Sequence, residues 1–275
     1  MSFEKEELEF LKNYDKNAFE RCSMTADILI VSISNEESDN YRKNEKKRMS
    51  ILLVKRTDFP YKGKWCLPGG FLDVTKETLE ECAKRVLKAE TNLQDIFLEQ
   101  LYTFDGIDRD PRMRVVSTAF VALVDKALLK EKVENASWFD VMEWKDTKNR
   151  FELLLQNNNE TILLDFDKKL KNPTSSNYDY ISKKENNLAF DHDIVIAQGL
   201  ARLRGKVSYT DIVFNMMPKY FTLKELQQVY EIILNKKLLD PAFRRIIANK
   251  VVKTKKMKTG EGHRPSYLFQ YRGNE

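Results

Sequence analysis

The chain has 275 residues, of which 42% are apolar and 32% charged, with a formal net charge of +5. This is ordinary for a folded globular protein, and no run reaches the roughly 20 apolar residues that a membrane-spanning helix needs. Cys22, Cys66 and Cys82 are odd in number and lack paired spacing, and His192 and His263 are the only histidines. These counts argue against a disulfide framework, a zinc site and a histidine-based metal centre, and make a reducing cytoplasm the expected location.

The first residues, MSFEKEELEFLKNYDK, are acidic and amphipathic, unlike a secretory signal. Phe3, Leu8, Phe10 and Leu11 give residues 2–14 an apolar stripe at helical spacing. ADILIVSIS (26–34) and SILLVKR (50–56) predict strands, separated by the polar loop NEESDNYRKNEKKR. Residues 76–91 carry a helical period with Leu79, Cys82, Ala83, Val86, Leu87 and Glu90 on one face. DIFLEQLYTF (95–104), RMRVVSTAFVALV (112–124), SWFDV (137–141), FELLLQ (151–156) and TILLDF (161–166) predict further strands. The polar tract 169–187 reads either as a linker or as the last connection of the first domain, and residues 188–206 take a helical period.

Downstream, YFTLKELQQVYEIIL offers Thr222 as N-cap and Glu225 three residues on, a capping box. PAFRRIIANK predicts a second helix, with Asp240 as its N-cap and Pro241 at its first position. VVKTKKMK and RPSYLFQYR then form two β-like segments around TGEGH. Helix, turn, basic helix and basic hairpin in that order make the plan of a winged helix-turn-helix. Charge supports the division. Residues 199–275 hold 16 Lys or Arg against 6 Asp or Glu, whereas residues 1–198 hold 31 against 36. A basic C-terminal domain facing a polyanion is the expected consequence. Its candidate DNA contacts are Arg244 and Arg245 early in the second helix, and Lys236 and Lys237 just before it. Lys253, Lys255 and Lys256 on the first wing strand and His263 and Arg264 at its return complete the set. Phe190, Leu226 and Phe243 are read as core.

The stretch LPGGFLDVTKETLEECAKRVLKAETNL (67–93) resembles the Nudix box, a Gly, five residues, Glu, seven residues, and then R-E-U-x-E-E-x-G-U. Gly69 and Gly70 are present and Glu77 stands in register with Arg85, with one residue inserted between Gly70 and Glu77. Val86 and Ala89 replace two of the three carboxylates and Asn92 replaces the glycine, so Glu90 alone remains as a candidate metal ligand. Nudix hydrolysis needs Mg²⁺ held by several oxygens on one helical face. Losing two of them predicts a domain that binds a nucleoside diphosphate without cleaving it. Arg109, Arg112 and Arg114, interleaved with Asp108 and Asp110, are candidate phosphate ligands, because guanidinium forks hold phosphates without a metal.

Over nearly its full length the chain resembles the NrtR-type Nudix-related transcriptional regulators. In the C-terminal half this rests on LAFDHDIVIAQGLARLRGKVSYTDIVFNMMPKYFTLKELQQVYEIILNKKLLDPAFRRII and GHRPSYLFQY. The resemblance implies an α+β protein: a Nudix α/β/α sandwich in residues 1–170, a linker or final connection in 171–187, and a winged helix in 188–275. It further implies a homodimer that senses ADP-ribose or a related nucleoside diphosphate, binds operator DNA, requires no cofactor and contacts no membrane. The alternative is a Nudix hydrolase of ADP-ribose or a sugar nucleotide, with Glu77, Arg85 and Glu90 as the residual catalytic set and Mg²⁺ as its cofactor.

Overall fold

The computed structural model describes residues 3–35, 47–92, 96–125, 135–174, 178–183, 188–258 and 265–274. After an exposed helix α1 (Phe3–Asn13), strands β1 (Ser23–Asn35), β2 (Lys47–Lys55), β3 (Trp65–Cys66) and β4 (Gly69–Phe71) lead into α2 (Leu79–Thr91). Strands β5 (Phe97–Phe104), β6 (Val115–Leu123), β7 (Ala136–Asp146), β8 (Arg150–Gln156), β9 (Thr161–Leu170) and β10 (Tyr178–Ser182) follow. All ten strands belong to one mixed sheet of order β10-β9-β8-β7-β2-β1-β6-β5, with β3 on β2 and β4 on β1. The β1–β6 pair is parallel.

Strand β1 is buried on both faces because its apolar run serves two layers. Ala26, Ile28 and Ile30 pack with Cys82, Ala83, Val86 and Leu87 of α2. Leu29, Val31 and Ile33 face the opposite side, where helix α3 (His192–Val207) supplies Val195, Ile196 and Leu200. Gly199 lets α3 approach, since a Cβ there would lie 2.3 Å from the Leu29 Cδ2 methyl. The sheet is thus sandwiched between α2 and α3.

β10, within the interval 171–187, pairs antiparallel with β9 and so adds a strand to the sheet. Helix α3, at the start of the segment 188–275, packs on the face of the sheet opposite α2. The same apolar cluster continues from β1 through α3 into the C-terminal elements. These are a 3-10 turn (Ile212–Met216), α4 (Leu223–Leu234), α5 (Asp240–Ile247) and the antiparallel pair β11 (Val251–Lys258) and β12 (Ser266–Tyr271).

The capping box forms as read: Thr222 Oγ1 accepts from Glu225 N at 3.2 Å, and Glu225 Oε2 accepts from Thr222 N at 2.7 Å. A second capping box, Thr78 with Glu81, starts α2. Helix α5 differs from expectation at its start: Leu239 is the N-cap and the Asp240 carboxylate instead accepts from Gln227 Nε2 at 3.1 Å.

Candidate functional site

A cleft of about 310 Å³ opens over the end of β1, the β3–β4 segment and the start of α3. Its floor is Asp27, fully inside the protein. Asp27 Oδ2 accepts from Ser117 Oγ at 2.5 Å, lies 3.3 Å from Arg109 Nη2, and faces His192 Nε2 at 3.6 Å. Burial raises the Asp27 carboxyl, but His192, Arg109 and Ser117 outweigh it and keep it below the usual carboxylate range. His192 Nδ1 accepts the Leu67 backbone N–H at 2.9 Å. Burial works against a charged imidazole and Asp27 works for it. Asp27 prevails and raises the imidazole, and the Leu67 contact leaves Nε2 as the ring nitrogen that faces Asp27.

Gly69 and Gly70 line the cleft. A Cβ on Gly69 would sit 2.3 Å from Asp27 Oδ1, so only glycine lets this turn lie against the carboxylate. The Glu77–Arg85 register becomes a bidentate pair, with Arg85 Nε and Nη2 donating to Glu77 at 2.9 and 2.7 Å. Arg85 also donates to the Phe71 carbonyl at 3.1 Å, tying α2 to β4. The bonds that Arg85 donates to Glu77 hold its carboxyl down to about 2. Val86 is only 5% exposed and packs in the α2 core layer, so the position of a Nudix carboxylate is filled by an apolar side chain. Ala89 is exposed. Glu90 does line the cleft, and burial pushes its carboxyl up.

Whether these residues suit Mg²⁺ follows from the donor set. Asp27 is engaged by Arg109 and Ser117, and Asp110 by Arg112, which leaves Asp58 and Glu90 as the remaining carboxylates of the cleft. Among the described residues no group of three His, Cys, Asp or Glu is placed to hold a metal. This donor set does not fit a cation that takes several oxygen ligands.

The three candidate arginines part company. Arg109 lines the cleft but is 5% exposed, donating from Nε and Nη2 to both oxygens of Asp191 at 3.0 and 2.6 Å. Arg112 also lines the cleft, bonded bidentately to Asp110 at 3.0 and 2.8 Å, with its guanidinium 5.4 Å from the Phe71 ring centroid and 5.9 Å from that of Phe190. Arg114 is exposed and is not among the lining residues. A cation that sequence reasoning missed is Arg56, 4.9 Å from the Phe190 ring. It donates only to carbonyls, to Pro60 O at 2.7 Å and Asp58 O at 3.4 Å, so no carboxylate offsets its charge among the described residues. Its position at the end of a strand was the only signal, since no motif spacing marks it. Phe190, read as core, instead lines the cleft, whereas Leu226 and Phe243 are buried as expected.

On the C-terminal elements, Arg244 and Arg245 are exposed on α5, and Lys236 and Lys237 are exposed just before it. Lys237 is partnered by Glu231 at 2.7 Å. Lys253, Lys255 and Lys256 are exposed on β11. The pairing slips between Lys253 and Met257, which breaks strict alternation and lets the consecutive Lys255 and Lys256 both face outward. Lys253 Nζ stands 3.3 Å from the Tyr267 ring centroid and Lys256 Nζ 3.8 Å from that of Tyr220. His263 and Arg264 lie outside the described residues.

The sheet with its box helix in register, joined through α3 to a helix-turn-helix and wing, defines the class: a Nudix-domain protein carrying a winged helix. Residues 40–156 match the NUDIX domain family, and residues 213–271 match the NrtR DNA-binding winged helix domain. The ADPR responsive transcriptional repressor NtrR of Acinetobacter baylyi is 30% identical over 264 residues, spanning 95% of this chain and 87% of that one. The chain belongs to the NrtR family of Nudix-related transcriptional regulators. Shewanella oneidensis NrtR, crystallised with a 27mer DNA, superposes with a TM-score of 0.64 at 26% identity, covering 91% of this chain and 94% of that one. An ADP-ribose pyrophosphatase of Methanocaldococcus jannaschii is 40% identical over 93 residues, 33% of this chain and 54% of that enzyme.

Proposed function

We propose that this protein is an ADP-ribose-responsive transcriptional repressor, cytoplasmic and homodimeric, which binds operator DNA through its winged helix. The observation that carries this reading is one chain holding two things: a Nudix cleft whose box positions are Val86 and Ala89, and an exposed basic helix and wing built on the same core. ADP-ribose, or a closely related nucleoside diphosphate, occupies the cleft. Arg56 and Arg112 hold its diphosphate and the neighbouring Phe71 and Phe190 rings offer flat apolar surface. The repressor named from Acinetobacter baylyi and the DNA-bound Shewanella oneidensis structure support the same reading. Arg244, Arg245 and the lysines of β11 meet the duplex, the helix in the major groove and the wing along the backbone.

Glu90 and the similarity to the Methanocaldococcus jannaschii enzyme favour a second reading, a hydrolase. One assay separates the two. Full-length protein incubated with ADP-ribose and Mg²⁺ is expected to leave the ligand intact by chromatography, while ADP-ribose changes its mobility-shift titration of duplex DNA. Stoichiometric release of AMP would sink the sensor reading.

A further inference from the structure

Residues 188–192 link the cleft to α3, the helix that leads into the winged domain. The segment approaching α3 runs beside β3 and the turn after it: Leu188 bridges to Trp65, Ala189 N donates to Trp65 O at 2.8 Å, and His192 accepts from Leu67 N at 2.9 Å. Phe190 lies in this segment with φ +57°, a left-handed conformation that costs a non-glycine residue about 1–2 kcal/mol. Its ring faces the cleft between Arg56 and Arg112. Asp191 is the N-cap of α3, yet its side chain makes no capping bond. Both of its oxygens are turned to Arg109, a residue of the cleft wall. An aspartate at this position ordinarily accepts from the second or third helical N–H and stabilises the helix by about 1 kcal/mol. Asp191 therefore has two mutually exclusive roles, and here it takes the one that binds the cleft.

We infer that Asp191 is a latch between ligand cleft and winged helix, released when a diphosphate takes Arg109 from it. The inference rests on the reading of the cleft as an ADP-ribose site. With Arg109 drawn to the ligand, Asp191 is free to cap α3, and Phe190 is free to leave its left-handed conformation. The first turn of α3, whose Ile194 and Val195 N–H groups already bond to the Asp191 carbonyl, then gains a side-chain cap. Because α3 lies between β1 and β5 on one side and α4 on the other, the change passes to the recognition elements without any contact between ligand and DNA. The ligand acts by binding one of two pre-existing arrangements more tightly, which is the only way it can shift operator affinity.

The test uses the full-length protein, ADP-ribose, and a duplex selected by the wild type from a randomised pool. Operator Kd is measured by fluorescence anisotropy with and without saturating ADP-ribose, and ADP-ribose affinity by calorimetry. In the wild type the two operator values are expected to differ roughly tenfold. Asp191→Asn retains an acceptor for capping but cannot hold Arg109 as an ion pair. Its operator affinity without ligand should match that of the liganded wild type, the ratio should fall to within about twofold of one, and ADP-ribose should bind more tightly, as expected of a variant biased toward the liganded state. A merely structural role for Asp191 would not raise ligand affinity. The latch is overturned if Asp191→Asn keeps the wild-type ratio. It is also overturned if hydrogen exchange of Asp193 and Ile194 in the wild type is unchanged by ADP-ribose. A wild-type ratio of one, by contrast, overturns the sensor reading and the latch with it.

Discussion

Arg56 and Asp193 show how much a single side chain's surroundings decide. Arg56 donates to two carbonyls while Arg109 and Arg112 are each bound to carboxylates, so Arg56 is the cation in the cleft with the most to offer a phosphate. Arg56→Ala is expected to weaken ADP-ribose binding by about 2 kcal/mol, roughly thirtyfold, by calorimetry, with the melting temperature little changed. Asp193, in the first turn of α3, is 2% exposed; burial raises its carboxyl to about 6, against the bond it accepts from Ile194 N at 2.8 Å. A carboxyl raised in the folded state binds its proton more tightly there than in the unfolded chain. Its contribution to stability therefore rises as pH falls from about 6 toward 4, and at neutral pH the ionised group costs about 2–3 kcal/mol. Asp193→Asn should stabilise the protein by up to about 2 kcal/mol at pH 7 in urea unfolding, and the gain should vanish near pH 4. Equal gains at both pH values would exclude this explanation.

Helix α3 earns its position through Gly199, the one place where its backbone meets Leu29 of β1 and Leu101 of β5. Leu29 is fully buried and has no free volume to yield. Gly199→Val is expected to destabilise the protein by about 2 kcal/mol through overpacking, even though valine is the better helix former. Because α3 serves both domains, the same variant should also alter the operator affinity of the folded fraction. A loss of stability with unchanged operator binding would show that α3 does not set the pose of the winged helix. On the other face, α2 explains why the altered box is stable. Val86 packs among Ala26, Ile28 and Phe120, where a glutamate would bury a charge.

At the level of the full assembly, the charge asymmetry becomes a measurable salt dependence. Each phosphate neutralised by a lysine or arginine contributes about −0.9 to the slope of log K against log salt. Lys255 is exposed on β11 and, unlike Lys253 and Lys256, stands over no aromatic ring among the described residues. Lys255→Ala in a dimer is expected to make that slope shallower by roughly 2 while leaving ADP-ribose affinity intact. Arg244→Ala with Arg245→Ala should abolish selective binding, also without touching ADP-ribose affinity. If both affinities fell together, the division of labour between cleft and wing would be wrong.

Much of this organisation is local and therefore legible along the chain. Period-2 and period-3.6 apolar patterns mark the strands and helices, the Thr222–Glu225 capping box forms as its spacing requires, and Glu77 meets Arg85 because both belong to one motif. The loss of carboxylates at Val86 and Ala89 is likewise read directly from register. What spacing does not carry is the partner of a charge. Spacing shows Arg109 only as one of three neighbouring arginines; folding brings Asp27 and Asp191, each 82 residues away in sequence, against its guanidinium. Arg56 carries no motif, and its lack of a carboxylate partner among the described residues is a fact about three-dimensional neighbours. A helical period at 188–206 likewise says that a helix exists, but only packing decides which sheet it covers. The chemistry available to this protein is written in residue types and intervals, whereas which charge is spent on structure, and which is left for a ligand, depends on long-range neighbours that only the folded chain assembles.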